Sequence, residues 1–191
     1  MPLKSLSLKL FLLFSGFVIL FSCNNEKKND ATPVPATDST VVNARSEIPQ
    51  TEFADAKYSE IGKNTLSKLA SGDIAGWMND FADTAVYVWN NGDSLAGKKA
   101  ISEYWTKRRT EVIDSLKFSK EIWLPIKVNR PQSVEAPGTW VLGWYMLEAK
   151  YKTGKKMVQW MHMDLHFNSA DKIDRLIHYL DRAPINAAAS K

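Results

Sequence analysis

The strongest constraint on the fold is a series of long strand patterns, joined by short turns, in the second half of the chain. Strand patterns cover residues 116–128, 139–151, 156–167 and 172–182, and turn-forming residues at 152–155 and 168–171 separate the last three. Strands joined by turns this short pair antiparallel, because a parallel pair needs a crossover of roughly a dozen residues or more. Pro125 interrupts the first pattern and indicates an edge or a bulge there.

Helical patterns precede these strands. Tyr58, Ile61, Thr65 and Leu69 recur at helical spacing, and Gly72 is placed to end that helix. We expect a second, short helix over residues 73–81, a strand over 85–89, a turn at 91–92 and a third helix that opens at residue 97. Helices segregated from an antiparallel sheet define an α+β domain, and a curved sheet packed on such helices leaves a cone-shaped hollow.

The order of these motifs resembles the SnoaL-like branch of the nuclear transport factor 2-like superfamily. The segments that carry the resemblance are Leu69-Ala70-Ser71-Gly72-Asp73, Phe81-Ala82-Asp83-Thr84-Ala85-Val86-Tyr87-Val88, Gly97-Lys98-Lys99-Ala100-Ile101, Phe167-Asn168, Asp171-Lys172-Ile173-Asp174-Arg175 and Tyr179-Leu180-Asp181. The resemblance implies a cone-shaped α+β fold of three N-terminal helices packed on a curved, mostly antiparallel β-sheet. It implies no single activity, because fold does not determine function.

The N-terminus has the pattern of a secretory signal peptide. Lys4 and Lys9 precede an apolar stretch at 10–21 that is too short to span a bilayer, which takes about 20 residues. The stretch ends in Leu20-Phe21-Ser22-Cys23, which resembles the lipobox of bacterial lipoproteins. The resemblance implies cleavage of residues 1–22 and lipidation of Cys23. An uncleaved anchor or an ordinary signal peptide remains the alternative.

The segment after Cys23 predicts a tether. Residues 24–50 contain no aromatic residue and are rich in Asn, Asp, Thr, Pro and Lys, so they bury too little apolar surface to order themselves. We therefore expect a lipidated Cys and flexible tether at 23–50, a SnoaL-like domain at 51–185 and a disordered tail at 186–191. The predicted location is the cell envelope, with the lipid anchor in the outer membrane on its periplasmic or surface side.

Charge argues against nucleic acid as a partner. The net charge is +4 for 191 residues, and loss of Lys4 and Lys9 with the signal peptide leaves +2. The basic residues do not cluster on one predicted face. The third helix, with Lys107, Arg108 and Arg109, is expected to present a solvated charged face. We expect no cofactor.

The strand pattern at 159–167 holds the candidate catalytic residues. Trp160, His162, Asp164 and His166 alternate with apolar residues and therefore share one face. A carboxylate beside an imidazole orients the ring and makes a general acid–base pair, so Asp164 with His162 or His166 is the candidate. This polar face either lines the hollow, or faces solvent or a second subunit; the pattern leaves both open.

No metal site is expected from these histidines. His162 and His166 are four residues apart, about 13 Å along a strand, which is too far for both to ligate one ion.

Seven tryptophans in a small domain suggest an aromatic pocket beside the default of core packing. The candidate pocket residues are Trp77, Tyr87, Trp89, Trp105, Trp144, Trp160, His178 and Tyr179.

Two functions fit the sequence. The first is an envelope lipoprotein that binds a small apolar or aromatic ligand, or a partner protein, and has no assigned reaction. The second is a cofactor-independent isomerase, cyclase or hydrolase that uses the Asp–His pair, with Tyr87 or Tyr179 as donor to an oxyanion. The resemblance also implies a homodimer that forms through the open sheet face.

Overall fold

A computed structural model describes residues 48–133 and 135–190. The predicted signal peptide, Cys23 and most of the tether lie outside these residues. Within them the chain forms one seven-stranded sheet. Its strands are β1 (Thr51–Phe53), β2 (Phe81–Trp89), β3 (Ser94–Ala96), β4 (Ile113–Val128), β5 (Gly138–Tyr151), β6 (Lys156–Phe167) and β7 (Ile173–Tyr179).

The strands lie in the order β1–β4–β5–β6–β7–β2–β3. Every neighbouring pair is antiparallel except β2 and β7, which run parallel. The prediction of a mostly antiparallel sheet is therefore confirmed. The hairpins β4–β5 and β5–β6 supply the longest ladders, so they form the body of the sheet.

Four α-helices accompany the sheet, and they make the domain a mixed α+β structure. They are α1 (Lys57–Ser71), α2 (Ile74–Met78), α3 (Lys98–Lys107) and α4 (Arg182–Ala189). A π-helical turn, Arg108–Val112, continues α3 as far as β4. Among the described residues, no helix combines the length and the apolar character needed to cross a membrane.

The boundary between α1 and α2 follows the sequence signal. Gly72 adopts a left-handed conformation (φ 82°), and its N–H bonds the Leu69 carbonyl while that of Asp73 bonds the Lys68 carbonyl. This is the pattern that satisfies the last carbonyls of a helix. The Asp73 carboxylate then accepts a 2.8 Å hydrogen bond from the Gly76 N–H and caps α2, as predicted.

The C-terminal end differs from the expectation. The last strand ends at Tyr179 rather than Arg182, and α4 occupies much of the segment expected to be a tail. The Asp181 side chain caps this helix by accepting a 2.8 Å hydrogen bond from the Ala183 N–H. Pro184 fits the first turn, where its missing N–H would have had no partner, and alanines follow it. The short strands β1 and β3 were also not predicted.

The sheet has an inner face covered by helices and an outer face. On β6, Met161, Met163 and Leu165 are buried on the inner face, whereas His162 and Asp164 lie on the outer face and are half-buried. The alternation predicted from the sequence is correct, and the structure assigns its polar side to the face away from the helices.

A tryptophan fixes the spacing between α1 and the sheet. The Trp123 ring lies between the backbones of Gly62 on α1 and Gly143 on β5, and a Cβ built on Gly62 would be 2.6 Å from that ring. Only glycine leaves room for the ring at these two positions. Beside it, the β4 ladder shifts register between Ser119 and Ile122, at Lys120 (φ 53°).

Candidate functional site

The inner face of the sheet encloses a cavity of about 150 Å³. Its walls come from α1, α3, the π-helical turn, α4 and five of the strands. Most of the lining side chains are apolar or aromatic. They are Leu69, Trp89, Tyr104, Trp105, Arg108, Ile113, Leu116, Phe118, Leu147, Tyr151, Met161, His178, Leu180, Arg182, Ile185 and Asn186.

A row of three hydrogen-bonding side chains adjoins this inner cavity. His178 on β7 lies with Nδ1 2.6 Å from the Tyr87 hydroxyl and Nε2 2.8 Å from the Tyr145 hydroxyl. All three residues are buried. Tyr87 lies on β2 and Tyr145 on β5, so the row runs across the strands of the sheet with His178 in its middle.

Burial fixes the charge state of this row. Burial first, and the proximity of His162 second, lower the pKa of His178 to about 3. Burial likewise raises the pKa of both Tyr87 and Tyr145 above the ordinary value of a tyrosine. All three groups are therefore neutral near pH 7, and a buried neutral histidine with so low a pKa is a poor general base.

One tyrosine hydroxyl in this row has a proton without a hydrogen-bond acceptor in the part of the chain that the structure describes. A neutral imidazole offers one N–H and one acceptor nitrogen. One tyrosine therefore donates to His178 and the other accepts from it. The accepting tyrosine keeps its own hydroxyl proton, for which no second hydrogen bond is found among the described residues.

Two arginines supply the positive charge of the cavity lining. The guanidinium of Arg182 is paired: it donates to the Asp93 carboxylate at 2.8 Å and to Oδ1 of Asn91 at 2.9 Å, and it lies over the Trp89 ring. Arg108 is half-buried and lies over the Tyr104 ring at 5.8 Å. Within the described residues, no Asp or Glu lines this cavity.

The outer face of the sheet carries a second, shallow depression of about 680 Å³, here called the outer groove. The Trp144 and His162 rings stack in it with centroids 4.5 Å apart, and Tyr179 lies against the other side of His162 at 5.2 Å. Trp160 is 48% exposed. The residues that line the groove are Asn90, Asn91, Trp144, Trp160, Met161, His162, Tyr179, Leu180, Asp181 and Arg182.

The predicted Asp–His pair lies at this outer face. Asp164 Oδ1 is 2.8 Å from His162 Nε2, although the ring N–H is not aligned on that oxygen and the contact is not a hydrogen bond. Nδ1 of His162 faces the Gly143 carbonyl at 3.0 Å. Burial, and then the charge of Asp164, raise the pKa of Tyr179.

His166 belongs to a different contact set. Its Nδ1 is 2.5 Å from the Asp174 carboxylate, and its Nε2 is 3.1 Å from the Pro137 carbonyl. The ring also packs on Trp140. Both nitrogens thus face protein oxygens, and Asp164 pairs with His162 rather than with His166.

The structure divides the predicted pocket residues between the two faces. Trp89, Trp105 and His178 line the inner cavity, Tyr87 bonds His178, and Trp77 packs edge-on against Trp105 below the lining. Trp144, Trp160 and Tyr179 line the outer groove instead. The eight residues therefore do not form a single pocket.

Sequence reasoning missed two important residues of the inner site. Tyr145 shares the inward face of β5 with Val141 and Leu147, an alternation that could have identified it. Arg108 was grouped with the solvated charges of α3 and not with the pocket residues, although the sequence also places it on one face with Ile101, Tyr104 and Trp105. The structure shows that it lines the cavity.

Comparison with known proteins supports the fold. No protein-family model matches the chain, and no curated protein sequence does. Among solved structures, a candidate polyketide cyclase of Xanthomonas campestris superposes with a TM-score of 0.56 at 14% identity, covering 69% of this chain and 96% of its own. A candidate isomerase from Bacillus subtilis gives 0.55 at 16% identity, covering 69% and 91%.

An epoxide hydrolase of Mycobacterium tuberculosis has the same architecture, with a TM-score of 0.50 at 12% identity, covering 68% of this chain and 86% of its own. The domain therefore shares the cone-shaped α+β fold of solved structures that include a nuclear transport factor 2-like protein. At these identities the likeness defines the fold alone.

Proposed function

We propose that this protein is an envelope lipoprotein whose cone-shaped domain binds a small apolar or aromatic ligand in the inner cavity, without an assigned reaction. The observation that carries the proposal is the lining itself. Aromatic and aliphatic side chains form most of the wall, and a few polar groups interrupt it. This is the usual composition of a small-molecule site.

The cavity volume limits the ligand. An engineered protein cavity of about 150 Å³ lined by apolar side chains holds benzene. The inner cavity has a comparable volume, about 150 Å³. A ligand with one ring, or an aliphatic group of similar bulk, fits without rearrangement of the wall.

The chemistry of the lining supports binding over proton transfer. A general base near neutral pH needs a pKa close to the working pH. His178 has a pKa of about 3 and is held between two tyrosines, and no carboxylate among the described residues lines the cavity. The polar groups present can orient a ligand by donating hydrogen bonds to it.

The N-terminal sequence supports the envelope part of the proposal. The basic start, the apolar stretch of about a dozen residues and Cys23 together match a lipoprotein signal, although they lie outside the described residues. Stable anchoring needs more than one acyl chain, because a single chain binds membranes only marginally. Lipidation of Cys23 would hold the domain at the membrane through the tether.

Native mass spectrometry of the full chain, purified in mild detergent, tests the proposal. We expect a small molecule retained at stoichiometric ratio in the wild type. Leu116→Trp places a large side chain in the cavity and should expel it, whereas Leu124→Trp, on the same strand but the outer face, should keep it. The binding function would be contradicted if the wild type retains no ligand and if no added molecule of single-ring size raises its free energy of unfolding.

A second function is favoured by the outer groove. There the Asp164 carboxylate and the His162 imidazole are 2.8 Å apart beside Trp144 and Tyr179. The contact is not aligned as a hydrogen bond, but catalytic acid–base pairs often align only when substrate binds. A cofactor-independent isomerase, cyclase or hydrolase would use this pair. The structural neighbours described as cyclase, isomerase and epoxide hydrolase are consistent with such an enzyme.

A further inference from the structure

We propose that the ligand of the inner cavity is a small monocarboxylate with an apolar body of about one ring, and that Arg108 binds its carboxylate. This inference rests on the proposed binding function of the cavity and specifies its ligand class. It is carried by the unmatched donors around the cavity.

Arg108 is the unmatched cation of the lining. Among the described residues its side chain makes no ion pair and no hydrogen bond, whereas Arg182 bonds both Asp93 and Asn91. Arg108 is half-buried over Tyr104 and cannot hydrate as fully as a surface arginine. A half-buried guanidinium with no protein anion beside it is free to pair with an anionic ligand, and its planar fork matches the geometry of a carboxylate.

Helical spacing explains why Arg108 reaches the cavity. Arg108 is seven residues after Ile101 and three after Trp105, so it lies on the face of α3 that is buried against the sheet. The α-helix ends at Lys107, and a π-helical turn begins at Arg108. Such turns occur frequently at functional sites.

A second donor lies next to the cavity. The Tyr87–His178–Tyr145 row leaves one hydroxyl proton unused, and His178 itself lines the cavity. The site thus combines a spare positive charge with a neighbouring spare donor.

A carboxylate matches this set. It is an acceptor with two oxygens and about four lone-pair sites, and it accepts two parallel N–H bonds from one guanidinium. The single unmatched charge of Arg108 calls for a monoanion rather than a dianion such as a phosphate monoester. The volume of about 150 Å³ limits the apolar body of the ligand to about one ring.

The test uses two probes of nearly equal size, phenylacetate and phenylacetamide, titrated calorimetrically into the full chain in mild detergent. The expected result is that the wild type binds the carboxylate about tenfold or more tighter than the amide. Arg108→Gln should remove that preference by weakening phenylacetate binding while phenylacetamide binding stays within about twofold.

Two further variants serve as controls. Lys107→Gln removes the same charge from the adjacent exposed position and should leave both affinities unchanged. Arg108→Lys keeps the charge but loses the planar fork, so it should retain part of the preference. If Arg108→Gln does not fold, Arg108→Lys and the preference of the wild type for phenylacetate over phenylacetamide still test the inference.

The outcomes separate this inference from the function on which it rests. Equal binding of both probes by the wild type, unaffected at Arg108, would overturn the carboxylate assignment and leave the binding function standing. Failure of both probes to bind at millimolar concentration would overturn the single-ring ligand and the carboxylate assignment together.

Discussion

Nε2 of His178 lies 2.8 Å from the hydroxyl of Tyr145, although the two residues belong to strands that do not pair with each other. Strand β6 runs between them, with Met161 opposite Tyr145 and Met163 opposite His178, so the two long side chains meet across the inner face of the sheet. Tyr87 closes the row from the other side of the ring. The contact makes the hydrogen bonding of the cavity wall depend on a neutral histidine.

Acid should destabilise the protein through His178. Its pKa is about 3 in the folded protein and about 6.5 in an unfolded chain, so the unfolded state binds the proton first as pH falls. The stabilisation is complete above about pH 6.5 and is lost as pH falls towards 3, at up to about 1.4 kcal/mol per pH unit. We expect the free energy of unfolding to fall accordingly.

The measurement is urea unfolding at several pH values for the wild type and for His178→Gln, which retains a donor and an acceptor but does not titrate in this range. Carboxylates and other histidines contribute equally to both proteins, so the difference between the two isolates His178. A difference that stays constant from about pH 7 to pH 5 would show that His178 is not held neutral by burial.

Adding a methyl group at Gly143 should destabilise the fold. A Cβ there would overlap the Trp123 ring, and Gly62→Ala should act the same way from the opposite side of that ring. Overpacking of this kind costs about 1–3 kcal/mol in the free energy of unfolding. Urea unfolding of Gly143→Ala measures the cost directly.

Trp123→Leu provides the control for this prediction, because it removes the ring that the new methyl group would meet. Gly143→Ala should cost much less in that background than in the wild type, which gives a favourable coupling energy in the double-mutant cycle. Equal costs in both backgrounds would place the cause in the glycine backbone rather than in the ring contact.

Asp164→Asn should distinguish the two faces of the sheet. Asp164 lies on the outer face, so its replacement should leave phenylacetate binding in the inner cavity within about twofold. If the outer groove is catalytic, the same change should lower turnover by about a hundredfold or more, because it removes the partner of His162. Ligand binding by calorimetry and product formation by mass spectrometry report the two effects separately.

The exposed aromatic side chains of the outer face should support a homodimer. Trp160 is 48% and Tyr179 40% exposed, and both adjoin half-buried apolar side chains of the same face. Aromatic side chains with few charges are typical of the centre of a self-complementary interface. We expect sedimentation of the full chain in mild detergent to show a dimer.

Trp160→Glu should convert that dimer to a monomer, whereas Thr106→Glu, at an exposed position of α3, should not. A wild-type protein that sediments as a monomer at high micromolar concentration would contradict the interface, and the outer groove would then be left to a ligand or a different partner.

Cys23 should determine membrane attachment. In a Gram-negative host, the full chain should incorporate a radiolabelled fatty acid and fractionate with membranes. Cys23→Ser should abolish the label, because the acyl groups are attached through the cysteine. Labelling of Cys23→Ser as strong as that of the wild type would show that the lipid is attached elsewhere, and an unlabelled wild type would contradict lipidation.

The sequence determined the local structure of this protein well. Alternation in residues 156–167 and the short turns on either side specified an antiparallel strand within its bounds, and Gly72 with Asp73 specified a helix end and a helix start. These features depend on backbone conformations that individual residues favour, so neighbouring residues suffice to predict them. The α+β class followed from their order.

Only the tertiary structure decided which face of each strand packs on the helices. The pattern that groups His162, Asp164 and Trp160 is the same whether that group lines a cavity or faces outward, because alternation is symmetric about the plane of the sheet. It also decided that Tyr87, Tyr145 and His178 form one row, and that Arg108 reaches the cavity. Such contacts join residues up to 91 positions apart, and they exist only once the strands have aligned in register and the helices have packed against one face.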